Sequence, residues 1–146
     1  MSELYSVDCQ KAKEILADKF SCVIVKGDEV YSSKKSGIAP LMDFISMGVD
    51  LSGFSCADKI VGKAAAMLFC KLGIKEVYAK VISKPGYEYL LKQGKTVHYT
   101  TITEKIINRK GDGICPMEST VLEIEDIEVG YTALKNKISE LRGTNK

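Results

Sequence analysis

The chain has 146 residues, of which 45% are hydrophobic and 27% are charged, with a formal net charge of +2 at pH 7. These values are typical of one globular domain, residues 1–146, that buries a core without disulfides or metal. The small, dispersed charge argues against nucleic acid as a partner. No apolar stretch approaches the roughly 18 residues of a membrane span, and the first residues lack the pattern of a secretory signal. We therefore expect a soluble, cytoplasmic protein with neither nucleic-acid nor membrane partners.

The cysteine and histidine content argues against a metal centre. The five cysteines are an odd number and include no Cys-x-x-Cys pair, whereas disulfide frameworks and structural zinc sites use paired cysteines at short spacings. The single histidine, His98, lies in a predicted strand and is expected to be a hydrogen-bonded strand residue. We expect free thiols, no metal and no cofactor.

The first part of the chain predicts a helix, a hairpin and a second helix. Apolar residues at helical spacing predict a short amphipathic helix over 8–20. Two β-rich runs, 21–25 and 30–33, flank a Lys-Gly-Asp-Glu turn and predict a β-hairpin. The second helix is predicted over 41–47, where Gly48 ends it.

The most informative stretch predicts a largely apolar helix over 56–72 that begins with polar groups. Ser55 and Asp58 have the spacing of a capping box, and Gly73 ends the helix. Lys59 and Lys63 would then lie one turn apart near the positive end of the helix dipole. This arrangement is unfavourable unless a negative group lies nearby, so it predicts an anion pocket at the beginning of the helix.

The remaining residues predict alternating strands and helices. In chain order these are a strand over 76–82, a helix over 87–92, a strand over 96–102, a loop over 108–113, a helix that begins at 115–118 and a final helix over 126–142. Such alternation predicts parallel strands. The fold class is therefore α/β, a three-layer α/β/α sandwich around a mixed sheet of four strands with room for a fifth.

The element order, with Cys56-Ala57-Asp58 at the start of a core helix behind a β-hairpin, resembles the cytidine deaminase-like fold. In that superfamily the corresponding helix supplies one zinc ligand and the general acid/base. Residues 57–66 and 113–118 resemble, more narrowly, an uncharacterised bacterial family with a domain of unknown function, placed within the same fold. The resemblance implies a deaminase-type pocket and says little about its reaction.

The zinc chemistry of that superfamily is not expected in this chain. A zinc deaminase needs two further thiolates from a Pro-Cys-x-x-Cys turn after the next strand, and residues 83–87 here read Ser-Lys-Pro-Gly-Tyr. Asp58 is also one methylene shorter than the glutamate of the superfamily, which would draw a proton-transfer group back from the substrate. We expect the pocket to be retained and its zinc chemistry to be replaced or lost.

We hypothesise that this pocket binds a small anionic, nucleotide-like metabolite, with any catalysis independent of zinc. Lys59 and Lys63 would neutralise the anion, and Asp58 would hold or transfer a proton. The candidate nucleophile is Cys56, whose thiol pKa would be lowered at a helix N-terminus, or Cys115. The rival hypothesis is a non-catalytic ligand-sensing or protein-interaction module, and a homodimer through the C-terminal helix or a sheet edge is compatible with either.

Three further residues are candidates for ligand contacts. Asn108 and Arg109 lie in a predicted loop where an arginine could pair with a carboxylate or phosphate, and Glu118 lies at a predicted helix entry. Each candidate also has a structural interpretation. A loop arginine is commonly solvated, and Glu118 could belong to a plain first helical turn.

The residues of the predicted core helix have structural interpretations as well. Asp58 could act only as a cap, and Cys56 could be a small buried hydrophobic residue. The two lysines could extend their alkyl stems to solvent. The sequence leaves these alternatives open.

Overall fold

The computed structural model describes residues 5–17, 19–107, 111 and 113–142. The strands are β1 (Cys22–Lys26), β2 (Glu29–Ser33), β3 (Ser55–Val61), β4 (Glu76–Ser83) and β5 (Thr96–Thr103). The helices are α1 (Val7–Leu16), α2 (Ala39–Ser46), α3 (Lys63–Leu72), α4 (Lys84–Lys92), α5 (Pro116–Val121) and α6 (Ile127–Leu141). Most predicted elements are present, with ends shifted by a few residues.

The strands form one mixed sheet in the order β2-β1-β3-β4-β5. The predicted hairpin pairs β1 with β2, and β1 also lies antiparallel to β3. The pairs β3-β4 and β4-β5 are both parallel. The alternation of strands and helices predicted the second pair, whereas β3 was not predicted as a strand. The sheet therefore has five strands, and the one that the sequence did not predict, β3, is the central one.

The predicted helix over 56–72 is wrong in its first half, because Ser55–Val61 is a strand and the helix begins only at Lys63. The run looked helical because a central strand is covered on both faces and so lacks a polar alternation. Ser55 and Asp58 therefore do not form a capping box. Gly62 occupies the N-cap position of α3, and Gly73 ends that helix in a left-handed conformation, as expected.

Helices cover both faces of the sheet. On one face, α1 packs its Cys9, Ala12 and Leu16 against a small apolar cluster that includes Ala57 and Tyr78 of the sheet. The larger core lies on the other face, where α3 is central and contacts α2, α4, α5 and α6. The junction at which β3 ends and α3 begins, residues 61–63, is buried. Within the described ranges, no helix has both the length and the apolar character needed to cross a bilayer.

Candidate functional site

Cys56 and Asp58 lie two residues apart on β3 and therefore point to the same face of the sheet. Cys22 of β1 lies opposite Asp58, and its sulfur is 3.9 Å from the sulfur of Cys56. The two thiols and the carboxylate all lie within 4.8 Å of one another. Their exposed fractions are 2% for Cys22, 0% for Cys56 and 5% for Asp58, so the cluster is almost sealed from solvent.

Burial controls the protonation of this cluster. It raises the pKa of Asp58 to about 7, against the opposing effect of hydrogen bonds from the Ile60 and Lys59 backbone and from Cys22. Burial also raises the pKa of Cys56 well above its ordinary value. The hydrogen bond with Cys56 lowers the pKa of Cys22, but burial and the charge of Asp58 outweigh it and raise that pKa overall.

These shifts correct one expectation from the sequence. Cys56 is not at a helix N-terminus, and the pKa of its thiol is raised rather than lowered. A thiol of this kind is protonated at neutral pH and is a poor nucleophile. Asp58, by contrast, is divided between its neutral and ionised forms near pH 7, the condition under which a carboxyl group can both donate and accept a proton.

Lys59 does not lie beside Asp58. Because neighbouring strand residues point to opposite faces, Lys59 projects from the face of Ala57, away from Cys56 and Asp58. Its backbone N–H donates to the Ser21 carbonyl at 3.1 Å, and its side chain is partly exposed. Lys59 forms no ion pair with another described residue.

Glu118 fills the N-terminus of α3. Its carboxylate accepts hydrogen bonds from the backbone N–H of Lys63 at 2.7 Å and of Ala64 at 2.9 Å, two of the groups that a helix start leaves unpaired. A side chain on Gly62 would overlap with this carboxylate, so glycine is required at that position. Burial raises the pKa of Glu118, partly offset by the two backbone N–H groups.

The ammonium group of Lys63 is also satisfied within the chain. It lies 2.6 Å from Glu125 and 3.1 Å from the Leu122 carbonyl, and its side chain is nearly buried. Lys92 forms a second ion pair with Glu125 at 3.1 Å, and the two lysines lower the pKa of that carboxyl group. The sequence predicted an anionic ligand beside Lys63. In the described structure the carboxylates of Glu118 and Glu125 lie at the start of α3 and beside this lysine.

Cys115, another predicted site residue, is not in the thiol and carboxylate cluster. Cys115 precedes α5 and donates its backbone N–H to the Ile106 carbonyl at 2.9 Å. It is not one of the residues grouped with Cys22, Cys56 and Asp58 in the described part of the chain. Asn108 and Arg109 lie outside the described residues. Their predicted roles stay predictions.

A second buried cluster lies on the opposite face, between α1 and the sheet. His98 Nε2 is 2.7 Å from Glu76 Oε2, which also accepts the Ser6 backbone N–H at 3.3 Å. The thiol of Cys9 hydrogen-bonds to Glu76, and these three side chains bring their donor atoms within 4.8 Å of one another. The ring of Tyr5 stacks on His98 with centroids 4.1 Å apart. His98 is thus the hydrogen-bonded strand histidine that the sequence predicted.

Protonation in the second cluster depends on the same contacts. Burial and the neighbouring Glu76 raise the pKa of Cys9 to about 12. Burial opposes ionisation of Glu76, but the hydrogen bonds from Ser6 and His98 outweigh it and lower that pKa. Sequence reasoning did not identify Cys9, Cys22, Glu76 or Glu125, because each acquires its partner from a distant segment that no local pattern specifies.

The sequence profile of TM1506, a domain of unknown function (DUF1893), matches residues 11–138 of this chain. The chain belongs to this family. A crystal structure of a DUF1893 family protein (TM1506) from Thermotoga maritima is 29% identical and covers 92% of each chain, with a TM-score of 0.84. No curated protein matches the sequence. The DUF1893 fold is therefore shared across nearly the whole chain.

Proposed function

We propose that this DUF1893 protein binds a small anionic, nucleotide-like metabolite beside Asp58, in a cytidine deaminase-like fold. The observation that carries this proposal is the position of one protonatable carboxyl group, with a pKa of about 7, on the central strand β3 opposite Cys22 of β1. The ligand would lie outside the carboxyl end of β3. The proposal places the protein in the cytoplasm, where small anionic metabolites are available as ligands.

The sheet topology supports this location. The chain runs from β1 outward to β2 and then returns through α2 to β3 on the other side of β1. Ligands of open α/β sheets bind outside the carboxyl ends of the parallel strands. Because β1 is antiparallel to β3, the start of β1 at Cys22 lies opposite Asp58, towards the carboxyl end of β3.

The charge of Asp58 makes a defined contribution to such binding. A neutral Asp58 can donate a hydrogen bond to an anion, whereas an ionised Asp58 repels it. Affinity for an anion should therefore be highest below pH 7 and decrease as the pH rises through about 7. The titratable groups that face Asp58 in the described structure are the Cys22 and Cys56 thiols, which are protonated and therefore neutral in this range.

The experiment is a calorimetric and thermal-shift screen of nucleoside mono-, di- and triphosphates at pH 6 and pH 8. Wild-type protein should bind at least one compound more tightly at pH 6, and Asp58→Asn should bind it with no such dependence. Lys59→Gln should weaken binding, because the ammonium group of Lys59 lies towards the carboxyl end of β3 and pairs with no carboxylate of the described residues. Lys75→Gln is the control. It removes the same charge just before the start of β4, at the opposite end of the parallel strands from the carboxyl end of β3.

The proposal is wrong if no anionic metabolite binds, or if binding to Asp58→Asn keeps the pH dependence of the wild type. Equal affinities for Lys59→Gln and Lys75→Gln would remove Lys59 from the site. The Lys59 and Asp58 side chains point to opposite faces of the sheet. Lys59→Gln therefore also tests whether the ligand extends around the end of β3 from one face to the other.

A specific observation favours a non-catalytic ligand sensor over an enzyme. Both cysteines of the cluster are buried, with raised pKa values, so neither supplies a thiolate at neutral pH. Incubation of the protein with bound nucleotides, nucleosides and amide-bearing metabolites, followed by mass spectrometry, distinguishes the two functions. Binding without product supports the sensor, and turnover that disappears in Asp58→Asn supports zinc-independent catalysis.

A further inference from the structure

We propose that Cys9, Glu76 and His98 form a zinc(II) site that joins α1 to the sheet. This cluster lies on the opposite face of the sheet from Asp58 and does not depend on the proposed ligand site. Its thiol sulfur, carboxylate oxygen and imidazole nitrogen all lie within 4.8 Å of one another. The three side chains come from α1, β4 and β5, so no short sequence motif contains all of them.

The donor set suits zinc. Thiolate, imidazole and carboxylate are the three ligand types that zinc takes in proteins, and tetrahedral donors lie roughly 3.3–3.8 Å apart. Nε2 of His98 and Oε2 of Glu76 are 2.7 Å apart because they share a hydrogen bond. If these two atoms moved apart by roughly half an ångström, their separation would suit two ligands of one tetrahedral metal, which would replace the shared proton.

Charge balance favours this cluster over the one at Asp58. One thiolate, one carboxylate and one neutral imidazole around Zn²⁺ have a net charge of zero, which is the least costly state for a buried site. Cys22, Cys56 and Asp58 would place three negative charges around the same ion and leave a net negative charge in the core. The second cluster is therefore the better divalent-metal site of the two.

The surroundings of the cluster already hold its ligands in position. The Ser6 side chain accepts from the Cys9 backbone N–H at 3.0 Å and caps α1, while the Ser6 N–H donates to Glu76. Tyr5 stacks on the His98 ring and limits its rotation. Such outer contacts orient metal ligands and strengthen metal binding.

A buried polar atom beside the cluster lacks a partner. Ser55 lies directly across from Glu76 in the register of β3 and β4, so both side chains lie on the α1 face. The hydroxyl oxygen of Ser55 is buried and has no hydrogen-bond partner in the described structure. A water molecule as the fourth zinc ligand would supply one, consistent with three protein ligands and an open position.

Zinc binding at this cluster has a defined proton balance. The metal forms bonds to the Cys9 sulfur, a Glu76 oxygen and the Nε2 lone pair of His98. The Cys9 thiol loses its proton to solvent, and the ring proton that the bound imidazole keeps lies on Nδ1. The thiol therefore contributes one released proton for each zinc ion bound.

The test uses tag-free protein treated with a chelator and titrated with zinc or with cobalt(II) as a spectroscopic probe. We expect one ion per chain, one proton released in calorimetry across buffers, a zinc-dependent rise in melting temperature and a thiolate-to-cobalt absorption band. Cys9→Ser should abolish the band and lower zinc affinity at least about tenfold, since even the loss of an outer contact has that effect. Cys70→Ser, a cysteine of α3 outside the cluster, should retain both.

Three results would overturn the proposal: no stoichiometric binding by the wild type, a band that persists in Cys9→Ser, or a band lost in Cys22→Ser instead. The last result would place the metal at the Asp58 cluster. Should Cys9→Ser fail to fold, His98→Phe decides, because it keeps the ring stacked against Tyr5 and removes the nitrogen ligand. Retention of the zinc response in His98→Phe contradicts the site.

Discussion

At the scale of single residues, the chemistry of this protein depends on side chains that neutralise one another inside the fold. Glu118 accepts hydrogen bonds from the α3 N-terminus, and Glu125 forms an ion pair with Lys63. These contacts stabilise a buried lysine at the positive end of the helix. Asp58 differs from these carboxyl groups. It lies beside two protonated thiols and forms no ion pair with a cation of the described residues, so burial dominates its pKa.

Asp58 should therefore make stability depend on pH in a direction opposite to that of a salt-bridged carboxyl group. Its pKa is raised from 3.8 to about 7 in the folded state, so the folded protein binds this proton more tightly. Its contribution to the free energy of unfolding is largest near pH 4 and is lost as the pH rises to about 7. Asp58→Asn should be more stable than wild type at pH 8, by ~2–4 kcal/mol, with the difference vanishing towards pH 4.

Urea unfolding of both proteins between pH 4 and pH 8 measures this effect. A parallel pH dependence in the variant and the wild type would show that Asp58 ionises as an ordinary exposed carboxyl group.

At the scale of secondary-structure elements, α3 is defined by a contact from outside its own segment. Gly62 provides no side-chain cap. Glu118, 55 residues after Lys63 and 54 after Ala64, accepts the backbone N–H groups of these two residues. Gly86 at the start of α4 packs against the Gly62 backbone, where a side chain would approach within 2.8 Å. Two helices and a carboxylate therefore meet at one glycine.

This contact predicts strong coupling between Gly62 and Glu118. Glu118→Ala leaves two buried N–H groups without acceptors and should destabilise the protein by about 2–4 kcal/mol. Gly62→Ala should cost about 2 kcal/mol or more in the wild type, because the new methyl group displaces the carboxylate. In the Glu118→Ala background the same substitution should cost about 1 kcal/mol or less.

A double-mutant cycle by chemical denaturation checks the coupling. Additive effects of the two substitutions would mean that the carboxylate and Gly62 do not share the space that the structure assigns to them.

At the scale of the whole molecule, α3 connects the last helix to the rest of the core. Leu134 of α6 is fully buried in the same apolar cluster as Met67 and Phe69 of α3. Gly130 allows close contact with Met67, because a side chain there would meet the end of that methionine. The helix is therefore part of the cooperative unit rather than an appendage.

Leu134→Ala should accordingly destabilise the entire protein by about 2–5 kcal/mol and leave a single unfolding transition. Leu141→Ala, at an exposed position of the same helix, should change the free energy of unfolding by less than about 0.5 kcal/mol. Circular dichroism and tyrosine fluorescence, in a chain without tryptophan, would report both effects. Separate transitions for the two probes would contradict a common core.

Oligomeric state is also a property of the whole molecule, and the homodimer that the sequence suggested stays a prediction. Sedimentation velocity at several concentrations would measure it directly.

The sequence by itself determined the elements whose signals are local. The hairpin turn, the end of α3 at Gly73, the apolar stripe of α6 and the alternation that makes β4 and β5 parallel all depend on neighbouring residues. The cysteine spacing likewise argued against disulfides and short metal motifs. In each case the physical cause, a turn conformation or a periodic apolar face, operates within a few residues.

Only the tertiary structure decided the identity of Ser55–Val61 and the composition of both clusters. The segment is a strand because β1 and β4 pair with it on either side and helices cover both faces, a long-range condition that its apolar composition does not distinguish from a buried helix. Cys22 reaches Cys56, Glu118 reaches α3, and Cys9 reaches Glu76 and His98 only after the chain folds. Contacts between distant segments have no local signature, so the chemistry they create cannot be read from spacing alone.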